Sequence, residues 1–463
     1  MNYDVVVVGG GPSGLFSAYD LSNELNVALF EMGRDVDDRK CYNEDMGHCI
    51  KCSPCNITSG IGGGGGLSDG KLIYPNKKYS SSLTVGGNFM DYVPREVIIE
   101  KMEEVENIFK ENGANKPFCG EDDEKVDDLL KKANSVGIEF VPMVQTHVGS
   151  DDMPKVVRNL ENEIKERGVD IYLEEMVKGI DHEKKEIYTS AGKYGYDQLI
   201  LAVGRTGASK LEEWIKEIGI KTEEGPEARS VDVGIRVEVP SSLMHDVTSI
   251  NYDPKFRMKT KRDDNIRTFC TCPNGWVIRE NYKDFSLVNG HSKFAEKSNN
   301  TNFALLNHTT FTEPFKEPNE WGEILARLTT KLGGGDPIIQ RLGDLRDKRR
   351  STESRIKSNI MVEPTLKSAV PGDISLSFPG RVVENLLDGL DQLENVIPGV
   401  SNDSTLLYAP EVKFYSVKLE LSDKMETNIP DIYAIGDGAG VSRGITGAAV
   451  SGLIASEGIK EKY

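Results

Sequence analysis

The stretch that decides the fold is Asp4–Gly14, DVVVVGGGPSG. The β-branched run Val5–Val8 predicts a strand buried on both faces of a parallel sheet. Gly9, Gly11 and Gly14 follow in the G-x-G-x-x-G spacing. This spacing suits a tight turn, a close approach of the backbone to a pyrophosphate, and close packing of the next helix on the strand. The stretch therefore predicts a dinucleotide-binding turn.

The residues after this turn complete a strand–helix–strand unit. A helix is predicted from about Ser13 to Leu25, with Pro12 beside its start, and its amide end is aimed at the phosphates. A second strand is predicted at Asn26–Phe30, and Glu31 ends it. Glu31 lies about 20 residues after Gly11, the distance at which an acid reaches ribose hydroxyls. We therefore predict that Glu31 binds the ribose.

A second glycine-rich turn lies near the other end of the chain. A strand is predicted at Asp431–Gly436, and it runs into G-D-G, with Asp437 at its centre. Gly444 and Ile445 then open a helix of small residues. An Asp at a strand end before a helix N-terminus suits a ribityl chain and the electron-rich end of a flavin. The pairing of the two turns resembles the two-part FAD site of the glutathione-reductase-like flavoprotein superfamily, and it predicts FAD.

Two further segments resemble parts of such an FAD domain. The apolar run Gln198–Gly204 is similar to its return strand, and the resemblance implies backbone contacts of Val177 with the adenine. The sequence has no other G-x-G-x-x-G between a strand and a helix, so a dedicated NAD domain is not expected, although NAD(P)H stays open as a transient reductant.

A run of five consecutive glycines occupies the centre of IGGGGGLSDGKL, residues 61–72. Such a run is too flexible for a helix or strand interior, so it is either a linker or a loop lying against a ligand. The second interpretation places Gly65 and Gly66 against pyrophosphate or flavin. Ser68 and Lys71 could then donate to an anion.

A more specific resemblance covers nearly the whole chain. It is carried by CIKCSPC at 49–55, SDGKL at 68–72, VDVGIRVEVP at 231–240, RTFCTCPNGWV at 267–277, TLLYAPEVKFY at 405–415 and GDGAGVSRGI at 436–445. This combination resembles the microbial FAD-dependent dehydrogenase family, with a more distant likeness to geranylgeranyl reductases. The resemblance implies FAD, redox chemistry and two domains.

The expected fold is α/β, a two-domain flavoprotein. A Rossmann-like FAD-binding domain is predicted to comprise residues 1–79, 143–207 and 397–463. A discontinuous α+β substrate or cap domain is predicted at 80–142 and 208–396.

Four of the seven cysteines lie close together, at Cys41, Cys49, Cys52 and Cys55. Thiolates at C-x2-C spacing can converge on a [4Fe-4S] cluster or a zinc ion. A redox-active disulfide and incidental thiols are the alternatives. A cluster here could accept electrons from a ferredoxin-like carrier and pass them to the flavin.

Cys270 and Cys272 form a C-x-C pair, whose side chains share one face of a predicted strand. For this pair the sequence favours cross-strand packing over chemistry.

Candidate catalytic groups come from two further segments. Arg349 and Arg350 lie in a basic stretch that is either a solvated helix face or a clamp for a carboxylate or phosphate. Glu411 and Lys413 lie just before the C-terminal flavin strand, where a proton donor or acceptor opposite flavin N5 is expected. Lys71 completes the set of predicted catalytic residues.

Composition limits the partners. The chain has 463 residues, and 56 basic against 74 acidic side chains give a net charge of −18. General attraction to nucleic acid or anionic lipid is therefore not expected. No stretch reaches the ~20 apolar residues of a membrane span, and no export signal is recognised, so we expect a cytoplasmic protein.

The function predicted from the sequence is an FAD-dependent oxidoreductase. It would exchange a hydride at flavin N5 with a small, anionic substrate. One alternative is an electron-transfer subunit that relays electrons from a cluster to a protein partner. A tRNA-modifying flavoprotein is the third interpretation, and the net charge of −18 weighs against it.

Overall fold

The computed structural model describes residues 1–41, 50, 52–74, 78–79, 87–223, 229–282 and 284–463. The strands are β1 Asn2–Val8, β2 Val27–Phe30, β3 Lys71–Tyr74, β4 Phe118–Cys119, β5 Glu139–Val141, β6 Val144–His147, β7 Asp170–Tyr172, β8 Val177–Asp181, β9 Glu186–Thr189, β10 Lys193–Leu201, β11 Ser230–Pro240, β12 Lys255–Lys259, β13 Asn265–Cys272, β14 Trp276–Asn281, β15 Ser286–His291, β16 Asn300–Thr310, β17 Ile338–Arg341, β18 Val370–Pro371, β19 Leu406–Lys413 and β20 Ile432–Ala434. The α-helices are α1 Pro12–Leu21, α2 Arg95–Glu111, α3 Asp123–Ser135, α4 Met153–Glu166, α5 Ala208–Ile218, α6 Ser241–Thr248, α7 Pro318–Leu332, α8 Leu342–Arg346, α9 Glu353–Lys357, α10 Gly380–Leu393 and α11 Ile445–Lys460.

The first sheet contains a parallel core in the order β7-β2-β1-β10-β20. Val5–Val8 is buried on both faces of β1, as its β-branched run predicts. The amino-terminal part of β10 turns away into an antiparallel meander with β9 and β8. The carboxyl ends of β1, β10 and β20 therefore lie side by side, at the edge where open α/β sheets bind ligands.

Helices α1 and α11 pack closely through small residues. A Cβ at Gly452 would lie 2.4 Å from the Ser13 carbonyl oxygen, so only glycine permits this approach. The Ser17 hydroxyl donates to the Gly452 carbonyl at 3.1 Å. The beginning and the end of the chain are joined in this way within one domain.

The second large sheet is mainly antiparallel, in the order β18-β17-β19-β11-β16-β13-β12-β5. Its central strand, β11, is buried on both faces. Alternate apolar residues of β11 pack in the second hydrophobic core. Asp232, Arg236 and Glu238 lie between them along the strand and face the opposite side. One face of the sheet thus supports a core and the other carries buried charge.

Two hydrophobic clusters correspond to the two expected domains. The first contains the parallel sheet with α1, α11 and α2, and the second contains β11, β16, β19 and α10. The α/β class with a nucleotide-binding half and a second α+β half is confirmed. The predicted domain boundaries stay a prediction; the clusters place α2 and α5 in the first core and β19 in the second.

A small sheet, β3-β6-β4, connects the glycine run to both halves. Lys71 at the start of β3 pairs with His147 of β6. The Ile73 amide donates to the Thr446 hydroxyl in the first turn of α11 at 3.0 Å. This pairing fixes the Lys71 segment beside the start of α11.

Among helices in the described part of the chain, none is long and apolar enough to cross a membrane.

Candidate functional site

Three glycine-rich loops meet at the start of α1. The Gly62 amide donates to the Gly10 carbonyl at 2.8 Å, which joins the five-glycine run to the first turn. A Cβ added at Gly65 would lie 3.0 Å from Ile445 and 3.3 Å from Pro12, so this glycine lies between the starts of α11 and α1. Gly436 lies against Ser13, since its Cβ would approach the serine hydroxyl to 2.7 Å. The loops predicted to bind FAD are therefore adjacent in space.

Both helix starts at this junction suit an anion. Within the described turns before α1 and α11, neither N-terminus has a capping side chain, and neither first turn contains an acid. Amide groups at such ends carry partial positive charge and accept phosphate or carbonyl oxygens as partners.

The close packing around the first turn depends on glycine. A Cβ at Gly14 would lie 1.9 Å from the Gly9 carbonyl oxygen, and one at Gly9 would lie 2.3 Å from the Ala202 oxygen. In contrast, among described residues a Cβ at Gly11 would meet only the Gly63 Cα, at 4.0 Å. Gly9 and Gly14 therefore close the turn, while Gly11 leaves space for a ligand. This arrangement fits the pyrophosphate of FAD.

Glu31 holds this junction through its carboxylate. One oxygen accepts the Gly10 amide at 2.7 Å, and the other accepts the Gly33 and Gly60 amides at 2.8 and 2.9 Å. The carboxylate thus ties the first turn to the segment leading into the glycine run. Its predicted role at the ribose stays a prediction, alongside this positioning role.

Asp437 lies where the loops after β10 and β20 touch. Its carboxylate accepts the Ser442 hydroxyl at 2.9 Å and the Gly444 amide at 3.3 Å, and Arg205 Nε is 3.7 Å from its other oxygen. Burial raises the pKa of Asp437. A Cβ at Gly438 would lie 2.5 Å from the Gly204 oxygen, so the return-strand loop contacts the G-D-G turn.

The other predicted cofactor residues lie close to these loops. The Ser68 hydroxyl donates to the Gly65 carbonyl at 2.7 Å and shapes the glycine run. Gly66 packs against Val157 of α4. Val177 begins β8 and is buried. Direct contacts of these residues with FAD stay predictions.

Lys71 reaches from the glycine-run side to the C-x-C pair of the second half. Its ammonium donates to Cys270 Sγ at 3.5 Å and Cys272 Sγ at 3.7 Å, and lies 3.1 Å from Asp69 Oδ2. Lys71 and Asp69 expose only 10% of their side chains. Although burial favours the neutral amine, Asp69 and the two thiols raise the pKa of Lys71 well above its usual value. Lys71 is therefore a buried cation.

Arg236 continues the network to two predicted catalytic residues. It donates to the Cys270 carbonyl at 2.6 Å and to Cys272 Sγ at 3.3 Å. Its guanidinium also lies 3.2 Å from a Glu411 oxygen, which is 3.0 Å from Lys413 Nζ. The structure thus brings Lys71, Glu411 and Lys413 into one network that contains the C-x-C pair.

The remaining predicted catalytic residues lie in another part of the fold. The Arg349 guanidinium pairs with Asp344 at 2.8 Å and Asp347 at 2.9 Å and is half exposed. The Arg350 carbonyl accepts a hydrogen bond from Arg355. In the described part of the chain, neither arginine pairs or hydrogen-bonds with a member of the Lys71 network. Their role as an anion clamp stays a prediction.

The predicted metal ligands are only partly covered by the structure. Cys41, Cys52 and Cys55 form no disulfide, and Cys49 lies outside the described residues. In the segments that the structure describes, no group of three or more His, Cys, Asp or Glu side chains is arranged to hold a metal ion. Arg39 donates to the Asn56, Ile57 and Ile61 carbonyls and so ties the segment after Cys55 to the glycine run.

Sequence reasoning missed Arg236 and the contacts that join the C-x-C pair to Lys71. The alternation in VDVGIRVEV, residues 231–239, already places Asp232, Arg236 and Glu238 on one strand face. A buried face that carries charged residues calls for charged partners, such as Glu411 beside Arg236 and Arg267 beside Asp232.

Part of the chain matches a described protein family. Residues 230–414 match the family described as "FAD-dependent protein, C-terminal domain-like". An uncharacterized protein of Clostridium beijerinckii is 26% identical over 487 aligned positions, which cover 99% of this chain and 81% of the relative.

Solved structures with low similarity also align along the chain. Glycine oxidase from Geobacillus kaustophilus aligns with a TM-score of 0.43 and 12% identity, covering 100% of this chain and 95% of that one. A geranylgeranyl bacteriochlorophyll reductase-like protein from Thermoplasma acidophilum gives a TM-score of 0.37 and 12% identity, covering 99% and 78%. The family match and the nucleotide-binding architecture together confirm the predicted class of the chain, an FAD-dependent oxidoreductase.

Proposed function

We propose that the protein exchanges a hydride at the N5 position of bound FAD with a small, anionic substrate. Bound FAD supplies the two-electron redox chemistry, and the chain supplies binding, orientation and charge. The loops around Gly11, Gly65 and Gly444 would hold the cofactor. Lys71, Glu411 and Lys413 are the residues that we propose to face the substrate.

The observation that carries this proposal is the cluster of cations in the Lys71 network. Lys71, Arg236 and Lys413 lie together there, and the anionic groups that act on them are Asp69, Glu411, Asp253 and the Cys270 sulfur. A buried positive charge is stabilised by a nearby anion. This supports an anionic substrate, or an anionic group of the protein, at the site.

The protein's flavin content and substrate class can be tested together. Purified protein should be yellow, and anaerobic addition of a true electron donor should bleach the flavin absorbance. A panel of candidate donors should pair each carboxylate with its neutral amide. We expect reaction with carboxylates only. Lys413→Met should raise KM more than it lowers kcat, whereas the exposed control Lys367→Met should change neither.

A protein that binds FAD but reacts equally with the neutral amides would contradict the anionic substrate. A protein without flavin that also fails to bind added FAD would overturn the whole function.

The electron source is a separate part of the proposal. We propose that Cys41, Cys49, Cys52 and Cys55 hold a cluster that receives electrons from a ferredoxin-like carrier. The support for this route is the position of Cys55 close to the glycine run. Arg39 interacts electrostatically with Cys55 and also donates to the Ile61 carbonyl beside that run. Analysis of anaerobically purified protein for iron, sulfide and zinc tests this route. Absence of all three would remove it.

A further inference from the structure

The C-x-C pair on β13 has a geometry that simple cross-strand packing does not require. Cys270 has a positive φ of 49°, and the pairing of β13 with β16 shifts register between Phe269 and Cys272. A non-glycine residue rarely adopts this backbone conformation, and such outliers cluster at functional sites. The irregularity brings both sulfur atoms within hydrogen-bonding distance of the Lys71 ammonium.

The two thiols differ in exposure in the way that an exchange pair requires. Cys270 is half-buried and so reachable, while Cys272 is fully buried beside it. An attacking thiol must reach a substrate, and a resolving thiol needs only to reach the attacking one. Cys270 therefore suits the first role and Cys272 the second.

The electrostatic surroundings activate Cys270 specifically. A hydrogen bond with Cys272 lowers the pKa of Cys270 to about 6, and Lys71 and Arg236 add to this effect against burial and Asp69. Burial and the same hydrogen bond raise the pKa of Cys272. The Cys270 sulfur thus lies beside two cations of the Lys71 network. At neutral pH the pair therefore consists of one thiolate and one thiol.

The pair also lies toward the predicted flavin loops. Arg205, which pairs with Asp437 of the G-D-G turn, interacts electrostatically with Cys270 as well. Lys71, the partner of both thiols, belongs to the strand that is bonded to the start of α11. The C-x-C pair thus borders the part of the site where redox chemistry is expected.

We propose that Cys270 and Cys272 form a redox-active dithiol that reduces an anionic disulfide substrate. The Cys270 thiolate attacks one sulfur of the substrate, the substrate S–S bond breaks, and one substrate thiolate leaves. Cys272 gives its proton to Asp69, whose Oδ2 atom is 3.9 Å away. Cys272 then attacks Cys270, breaks the mixed disulfide, forms the Cys270–Cys272 bond and releases the second thiolate, which takes the proton from Asp69.

The balance of this exchange is two electrons passed from the pair to the substrate, giving one thiol and one thiolate. The return of the pair to its starting form needs two electrons and one proton. This return step alone rests on the proposed redox function, because that function supplies the electrons.

The first test measures the redox state of the pair directly. The holoprotein is equilibrated anaerobically in mixtures of reduced and oxidised dithiothreitol and quenched with acid. Remaining thiols are then alkylated and mapped by mass spectrometry. We expect Cys270 and Cys272 to lose both alkyl groups together along a single two-electron curve. Full alkylation of both cysteines in the most oxidising mixture would overturn the proposal.

The second test traps the first step with dithiobis(nitrobenzoate), an anionic disulfide. Cys272→Ser should stop at a mixed disulfide that maps to Cys270, whereas the wild-type pair should release two thiolates and keep no adduct. Cys270→Ser should form no adduct at Cys272. The matched control Cys119→Ser should behave as wild type, because Cys119 is a half-buried thiol whose pKa is raised by burial. An adduct of Cys272→Ser at any other cysteine, with Cys270 unmodified, would contradict the assigned roles.

The pH dependence of alkylation distinguishes a lowered pKa of Cys270 from simple exposure of its thiol. The alkylation rate of Cys270 in the wild type should fall to half near pH 6. In Lys71→Met the midpoint should rise, since a neighbouring cation is lost. At pH 7 the thiolate fraction should be about 30-fold that of an ordinary thiol with a pKa of ~8.5. A wild-type midpoint near 8.5 would refute the activation.

These readouts count thiols, so they are independent of flavin chemistry. A flavin-free protein with a working pair would overturn the proposed function and retain this inference. A flavin-loaded protein with an inert pair would do the reverse.

Discussion

Replacing Gly14 with alanine should selectively weaken FAD binding. The added Cβ would lie 1.9 Å from the Gly9 carbonyl oxygen, whereas carbon–oxygen contacts need about 3.3 Å. The start of α1 must therefore move away from the first turn by about 1 Å or more. This shift misaligns backbone amides that are predicted to contact the pyrophosphate.

The size of the effect follows from the bonds at risk. A hydrogen bond to a charged group contributes about 1.5 to 3 kcal/mol, so misalignment of one or two such bonds should weaken binding by about 3 kcal/mol. This free energy corresponds to a Kd about 100-fold higher. The assay is titration of flavin-stripped protein with FAD, followed by fluorescence, after far-ultraviolet circular dichroism has confirmed folding.

Gly380→Ala provides the matched control. Gly380 is the first residue of α10, away from the cofactor loops, and a Cβ there would meet no heavy atom of the described chain within 4 Å. We expect this variant to bind FAD like the wild type. A folded Gly14→Ala protein whose Kd stays within about threefold of wild type would refute the placement of the pyrophosphate at this turn.

Three other predictions concern stability. Arg236→Met should destabilise the protein by about 3 kcal/mol, because buried Glu411 loses one of its two cations and the Cys270 carbonyl loses a donor, whereas Arg381→Met, at the more exposed pair with Asp264, should change stability much less. Urea unfolding compares the two variants, and equal effects would contradict the buried network. Glu31→Ala should lower the free energy of unfolding by about 3 kcal/mol and also lower FAD occupancy, because three backbone amides lose their acceptor. Glu31→Gln should have a smaller effect on both quantities. Identical behaviour of the two variants would argue against the role of the Glu31 carboxylate in holding these amides. Burial lowers the pKa of His147 to about 4. Neutral His147 therefore contributes its full stabilisation above the pKa of about 6.5 that histidine has in the unfolded chain. This contribution is lost as the pH falls toward 4. Between pH 7 and 5 the wild type should lose about 2 kcal/mol more than His147→Asn in urea unfolding, and parallel losses would refute the buried neutral histidine.

The nucleotide-binding half could be predicted because its signals are local. The run Val5–Val8, the spaced glycines and the G-D-G turn each favour one backbone conformation. That preference does not depend on the fold of the rest of the chain. The parallel order of β1, β10 and β20 follows from the same segments. Each strand–turn–helix unit is therefore contained in one continuous segment of about 30 residues.

The Lys71 network could not be assembled in this way. Lys71 and Cys270 are 199 positions apart, and their meeting depends on how β3 and β13 pack across the two halves. The position of Arg236 opposite Glu411 depends on the register between β11 and β19, which includes an irregularity at Gly234/Arg236. Register between distant strands is set by the whole sheet, and one pattern alone does not specify it.

The close packing of α1 with α11 has a consequence for how the protein is made. The first turn emerges from the ribosome early, but β20 and α11, residues 432–460, are synthesised more than four hundred positions later. Until they arrive, Ser13 and Ser17 lack the glycine face of α11, and the edge of β10 lacks its β20 neighbour. We therefore expect cofactor capture only after α11 has been synthesised, and nascent chains stalled before residue 432 should carry no flavin.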